Sequence, residues 1–367
     1  MNSLAEAALM FFISAGGCLL FGRWTIRWLS RAQAIAPARY EDCPPLLAYQ
    51  ATKSSTPTMG GLCVLAVGIL VAALAGGLGQ RDGWLVLAAV LGVGAVGLVD
   101  DWLKFRGVNA LGLRSRPKLL VALAVGAGVG LATSSPSHPY SAVELPWLNR
   151  SVELGWAWVP FAMLVIAGCA HAVNLTDGMD GLAAGCVAIV LLVLGCWALA
   201  GDGPSRVLVP WCASLAGACV GFLWFNSFPA SVFLGDVGAL GLGAALGTIS
   251  LLTHTALWLL IVGGVFVVEA LSVMLQVASY KWRGKRRIFR VAPIHHHFHL
   301  GGLSEPKVIV RLWIAGALLA MLGLTRVPPP APPRLRQGAK MTDDCRCSRH
   351  MTDFAAAGCR REAQVVG

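Results

Sequence analysis

The chain predicts an all-α polytopic membrane protein with about ten transmembrane helices and a cytoplasm-facing active site. Three observations carry that expectation. Apolar residues make up 56% of the 367 residues and charged residues 13%, with a mean hydropathy of +0.69. Apolar runs of about 16–25 residues recur along the chain, long enough to cross a hydrocarbon core of roughly 30 Å. Lysine and arginine are divided very unevenly between the loops that separate these runs. A soluble core built from such segments would leave far too much apolar surface in water.

Reading apolar runs between polar breaks places candidate spans at 5–22, 60–79, 84–99, 118–133, 156–173, 181–200, 207–225, 238–252, 256–280 and 307–325. The first lacks the basic leader of a cleaved signal and runs into Arg23, Arg27 and Arg31, which fits a retained helix. The second follows the turn-forming "TPTMGG", and the third ends in "GLVDDWLKF". The fourth starts at Lys118, after a basic loop. The fifth and sixth flank "NLTDGMDGLA", and the seventh and eighth flank "NSFPASVFLGDVG". The ninth carries "EALSVMLQV", and the tenth follows the histidine-rich segment. Inside hydrocarbon every backbone group has to be paired within its own segment, so these runs are helices.

Loops 23–59, 100–118 and 281–307 carry 5, 5 and 7 lysines and arginines, whereas the opposite loops carry only Arg81, Arg150 and Arg206. Seventeen against three is a positive-inside asymmetry that puts the basic loops in the cytoplasm. The net charge of +11 then suits anionic headgroups or an anionic substrate. No folded basic domain remains to read bases, so no nucleic acid is expected as a partner. Residues 1–327 form the expected transmembrane domain, and 328–367, rich in proline and charge, read as a disordered tail. Cys345, Cys347, Cys359 and His350 in that tail match no strong zinc spacing. Cys18, Cys63, Cys169, Cys186, Cys196, Cys212 and Cys219 lie within apolar runs and read as small hydrophobes.

The acids gather on the same side as the basic loops: Asp100 and Asp101 end the third span, Asp177 and Asp180 precede the sixth, and Asp236 precedes the eighth. Taken singly, Asp177 and Asp236 read as helix N-caps. Five aspartates on one face, in loops with few other acids, point instead to function. Oxygen ligands beside lysines describe a Mg²⁺–phosphate site, with Lys53, Lys104 and Lys118 as mobile charges for other phosphate oxygens. Four of the eight histidines, His295, His296, His297 and His299, fall within five positions of "RVAPIHHHFHLGG". A transition-metal site and a solvated loop are two readings of them. A polar arm after Pro293 that donates hydrogen bonds to phosphate or sugar oxygens is the third, and it is favoured.

In order, "TPTMGG", "DDWLK", "NLTDGMDGLA", "NSFPASVFLGDVG", "EALSVMLQV" and "APIHHH" resemble the phospho-N-acetylmuramoyl-pentapeptide transferases of the polyprenyl-phosphate N-acetylhexosamine-1-phosphate transferase superfamily. The resemblance spans about residues 50 to 310. It implies Mg²⁺-dependent transfer of phospho-MurNAc-pentapeptide from UDP-MurNAc-pentapeptide to undecaprenyl phosphate, giving lipid I and UMP in peptidoglycan synthesis. It further implies a multi-pass protein of the bacterial inner membrane, in contact with membrane lipid, with a homodimer left open. By the same resemblance Asp100, Asp101, Asp236 and His295 are catalytic, and Asp236 with Asn174 holds the metal. Lys53, Lys104, Lys118, Asn174, Asp177, Asp180, Asn226, Phe233, Gln276, His296 and His297 bind substrate.

Four positions depart from the family pattern: Gln50 stands for a histidine, Ser55 for a glycine, Ala239 for a serine and His299 for a glutamate. Three alternatives stay open at this point. One is a sister transferase using UDP-N-acetylglucosamine, another is a membrane transporter, and the last is an inactive assembly partner.

Overall fold

The computed structural model describes residues 3–32, 47, 49, 53, 55–106, 112–134, 141–148, 150–201 and 203–326. The tail from 328 onward, with its cysteines and His350, and Gln50 lie outside these residues. Among the described residues the helices are α1 (Ser3–Arg31), α2 (Gly61–Ala72), α3 (Arg81–Phe105), α4 (Ser115–Thr133), α5 (Trp158–Thr176) and α6 (Leu182–Ala200). They continue with α7 (Val209–Asn226), α8 (Gly235–Leu252), α9 (Ala256–Val262), α10 (Gly264–Trp282), α11 (Ile294–His299) and α12 (Glu305–Gly323). Among the described residues, nine helical stretches are long and apolar enough to cross a membrane, and the shorter Gly61–Gly77 is a tenth apolar one. The protein is an all-α multi-pass membrane protein, as its hydropathy predicts.

α8 is the axis of the bundle. All of its residues are buried, from Gly235 to Leu252, and at 1.5 Å per residue it spans about 27 Å. Its small residues explain how it can be surrounded. Gly238 meets Gly61 of α2, Gly243 meets Cys169 and Ala170 of α5, and the Gly97 backbone of α3 lies against Asp236 and Val237. With no hydrophobic drive between helices in lipid, close backbone approach at small residues is what yields packing energy. α1 packs mainly on α7 in the same manner, Gly217 and Gly221 lying against the backbones of Phe11 and Ala15.

Three departures from the sequence reading have local causes. The expected span at 256–280 is broken at Gly263 into α9 and α10. The expected span at 60–79 closes early in a π-helical turn, Ala73–Gly77, where Gly76 has φ +84°, a conformation that glycine adopts readily. A short antiparallel hairpin, Ala142–Leu145 with Arg150–Glu153, lies between α4 and α5 and was not foreseen. The hairpin sits at the end of the bundle opposite the aspartates, where Arg326 grips Glu144 with contacts of 2.8–3.0 Å. Of the seven apolar-run cysteines, five are buried, Cys169 is half-buried and Cys196 is exposed, and all are free thiols.

Candidate active site

All three aspartate clusters and the histidine segment converge at one end of the bundle. α3 delivers Asp100 and Asp101 one turn before its C-terminal end, and α8 delivers Asp236 on its first turn. Ligand-capable atoms of these three carboxylates all lie within 4.8 Å of one another, and the three residues are 0%, 1% and 3% exposed. Carboxylates so buried need partners, and two lysines provide them. Lys118 Nζ lies 2.6 Å from Asp236 Oδ2 and 2.9 Å from Asp100 Oδ1. Lys104 Nζ pairs with Asp100 Oδ2, lies 3.1 Å from Asp236 Oδ2 and 3.6 Å from Asp101. Asn174 Nδ2 donates to Asp236 Oδ1 at 3.0 Å, the Leu113 N–H to Asp100 Oδ1 at 2.5 Å and the Val237 N–H to Asp101 Oδ2 at 3.1 Å.

The backbone around this cluster is shaped to let it close. Gly235 has φ +77°, and a Cβ there would stand 2.8 Å from Asp101 Oδ2 and 2.9 Å from Met59 N. The segment 57–61 is held to the 233–234 strandlike turn by Phe233 N–H to Pro57 O at 2.8 Å and Gly60 N–H to Phe233 O at 2.9 Å. Asp177 and Asp236 are not N-caps. Gly181 and Leu234 take the cap positions without side-chain bonds, and Asp177 instead closes the C-terminus of α5. Asp236 spends its carboxylate on lysines and an amide, while its charge still suits the positive end of α8.

A second cluster adjoins the first through the turn 177–181. Lys53 Nζ lies 2.6 Å from both Asp180 Oδ1 and Glu305 Oε1, and the Asp180 N–H donates to Glu305 Oε1 at 3.1 Å. Asp180 Oδ2 accepts from the Ala230 N–H at 2.9 Å, so one carboxylate ties three segments together. Burial pushes the Asp180 carboxyl above the usual range, and the Lys53 ammonium works against that shift. Lys53 also lies 4.6 Å from the centre of the Tyr49 ring and 5.9 Å from that of Phe228. Burial, and then the charge of Glu305, raises the Tyr49 hydroxyl.

The histidine segment is not a solvated loop. It forms the short helix α11, in which His295 and His296 are 0% and 2% exposed. His295 Nδ1 lies 2.9 Å from Glu269 Oε2 of α10, whose oxygen also accepts from the His295 N–H at 3.4 Å. That contact directs the opposite edge of the ring, Nε2, at the backbone of Gly178, where any Cβ would collide with it. His296 packs on His295 with ring centres 4.2 Å apart. Burial, reinforced by the neighbouring Lys53 ammonium and the adjacent imidazoles, drives its imidazole down to about 2. His296 therefore stays neutral across the physiological range. His297 Nδ1 accepts from the Arg290 N–H at 3.1 Å. Among the described residues the metal-capable cluster is the aspartate triad rather than the histidines.

Two predicted substrate residues hold loops rather than the triad. Gln276 Nε2 donates to Phe289 O, and its Oε1 accepts from the Ile288 and Phe289 N–H groups, all within 3.0 Å. Asn226 Nδ2 donates to Val232 O at 2.8 Å. Glu269, Glu305 and Tyr49 are site residues that the sequence reading did not single out. For Glu269 there was a usable signal, since it is the one acid in the apolar run 256–280 and an intramembrane carboxylate is costly without a function or partner.

The whole arrangement suits Mg²⁺ and phosphates. The donors are three clustered hard carboxylate oxygens, the kind of ligand that Mg²⁺ takes, set beside two lysines that can meet phosphate oxygens. The model of Glycosyl transferase family 4 matches residues 83–254. A Phospho-N-acetylmuramoyl-pentapeptide-transferase of Citrifermentans bemidjiense is 44% identical over 321 residues, covering 83% of this chain and 88% of the relative. The protein of that name from Thermodesulfovibrio yellowstonii is 43% identical over 315 residues, 82% of this chain and 86% of its own. A third, from Pelobacter propionicus, is 42% identical over 325 residues, 84% and 88% respectively. With such identity across most of both chains and the aspartate clusters assembled at one end, the chain belongs to the phospho-N-acetylmuramoyl-pentapeptide-transferase family.

Proposed function

We propose that the protein transfers phospho-MurNAc-pentapeptide from UDP-MurNAc-pentapeptide to undecaprenyl phosphate, forming lipid I and UMP at the cytoplasmic face of the bacterial inner membrane. The single observation that carries this reading is the buried Asp100–Asp101–Asp236 triad interleaved with Lys104 and Lys118. Asp236 and Asp101, with the amide oxygen of Asn174, would hold Mg²⁺. Bound there, the ion would neutralise the diphosphate and stabilise charge on the departing phosphate.

The remaining work falls to the chain. An oxygen of the acceptor phosphate attacks the donor phosphorus that bears the sugar, and the bridging P–O bond to UMP breaks. Both reactants are anions, so their repulsion has to be overcome, and Lys104 and Lys118 are placed to do it. The acceptor needs little help to ionise, because a phosphate monoester loses its second proton at about pH 6. Asp100 is positioned to hold the lysines rather than to attack. Its oxygens are taken up by Lys104, Lys118 and the Leu113 N–H, which favours direct transfer over an aspartyl-phosphate route. His295, locked by Glu269, presents Nε2 toward the turn 177–181, where the donor's phosphate and sugar oxygens would lie.

The experiment is UMP release by the detergent-purified protein with Mg²⁺ and undecaprenyl phosphate, comparing UDP-MurNAc-pentapeptide with UDP-N-acetylglucosamine. Release from the muramoyl donor alone is expected. Release from the other donor would move the protein to a sister activity, and no release from either would refute the reading.

A further inference from the structure

Within the membrane part of α5, one turn before Asn174, stands a histidine that none of the roles above uses. His171 and Asn174 are three residues apart and so share a face of the helix. Asn174 on that face donates to Asp236, and the charged neighbours of His171 are Lys118 and Asp236. The ring is half-buried, and its Nε2 is shut off from solvent with no hydrogen-bond partner among the described residues. A buried imidazole nitrogen left without a partner is unfavourable, and such atoms usually have a reason to be there.

Direction supplies the reason. α5 runs from the hairpin end at Trp158 to the site end at Thr176, so His171 lies deeper in the bilayer than Asn174 by about 4.5 Å. Asp180, with its partner Lys53, and His295 of α11 meet the turn 177–181, which follows Asn174 at the end of α5 away from His171. His171 does not belong to the aspartate cluster whose atoms could share one ion. A group that meets this edge of the site has to come from the membrane, and it has to be attracted to Lys118.

We propose that His171 is a further acceptor-binding residue, whose Nε2–H donates to the phosphate of the polyprenyl phosphate. The assignment rests on the transferase reading above. Lys118 is a long side chain, 12% exposed. An acceptor phosphate drawn to its ammonium comes within reach of His171, and the imidazole is a neutral donor that does not compete with Asp236 for the metal.

The test uses the full-length protein and its His171→Ala and His171→Gln variants. It measures KM for undecaprenyl phosphate at saturating donor and KM for UDP-MurNAc-pentapeptide at saturating acceptor. A third readout is the thermal shift caused by undecaprenyl phosphate alone. Loss of one hydrogen bond to a charged group predicts an acceptor KM raised about tenfold in His171→Ala. Donor KM should stay within about twofold, the thermal shift should shrink, and His171→Gln, which keeps a donor, should recover part of both. An unchanged acceptor KM, or equal increases for both substrates, would overturn the assignment. If the wild type released no UMP, the transferase reading would fail by itself. The thermal shift would still decide His171, since a shift of equal size in wild type and His171→Ala overturns it.

Discussion

Replacing Glu269 tests how far the histidine segment depends on one buried carboxylate. Glu269 and His295 are both 0% exposed and meet at 2.9 Å, so no water can substitute for either partner. Glu269→Gln keeps the shape and an acceptor oxygen but removes the charge. A hydrogen bond to a charged group contributes about 1.5–3 kcal/mol and a neutral one about 0.5–1.5. The difference, about 1.2 kcal/mol, is roughly a factor of eight in rate if the bond strengthens in the transition state. Glu269→Ala goes further, leaving His295 Nδ1 buried without an acceptor at a further cost of about 1–3 kcal/mol, and turnover should fall about a hundredfold or more. The assay is UMP release under saturating substrates, with thermal stability measured in parallel. A graded order, wild type above Gln above Ala in kcat, supports the role of Glu269 in setting the tautomer and aim of His295. Equal kcat in all three, with folded protein, would show that His295 does not work through this contact.

Other perturbations probe the rest of the site. Asp236→Asn strips the partner shared by Lys104, Lys118 and Asn174. It should abolish turnover and cost about 3 kcal/mol of stability, the low end for a broken buried pair because Asp100 remains; near-normal rates at low Mg²⁺ would contradict this. Gly178→Ala places a methyl against His295 Nε2 and 3.2 Å from His296 Nε2. Overpacking of about 1–3 kcal/mol should appear as a lowered melting temperature with reduced turnover, and an unaltered enzyme would show that the turn and α11 do not meet. The His296 imidazole lies at about 2 in the folded state against an ordinary 6.5, so an opened state binds a proton below pH 6.5 that the native state does not. Stability should therefore rise with pH by up to about 1.4 kcal/mol per unit until about pH 6.5 and then level off. A pH series of melting temperatures in wild type and His296→Gln checks this, since the variant should show a flatter acid limb.

How much of this was legible in the sequence depends on the range of the interactions. Apolar length alone placed the spans, because each helix pairs its own backbone in the membrane. The break at Gly263 was not legible, since glycine is common in such helices. The aspartates could be placed on one face by loop charge, yet which of them meet is a matter of packing. Asp100, Asp101 and Asp236 come together because α3 and α8 touch backbone to backbone at Gly97, and nothing in their spacing along the chain says so. Asp180 looked like a fourth member and instead joins Lys53 and Glu305. Glu305 was hidden because an acid in the first turn of a helix is ordinary. The histidines were visible as a cluster, but their burial was not. It comes from Glu269 on α10 and the bare backbone of Gly178.

The most direct test of the central claim is to identify the nucleotide product. The protein, reconstituted with Mg²⁺, undecaprenyl phosphate and UDP-MurNAc-pentapeptide, should yield UMP and a lipid-linked diphosphate sugar in equal amounts, and Asp100→Asn should yield far less of both. Release of UDP instead would mean that the sugar–oxygen bond breaks rather than the diphosphate. That result would contradict a phosphosugar transfer at the aspartate–lysine cluster.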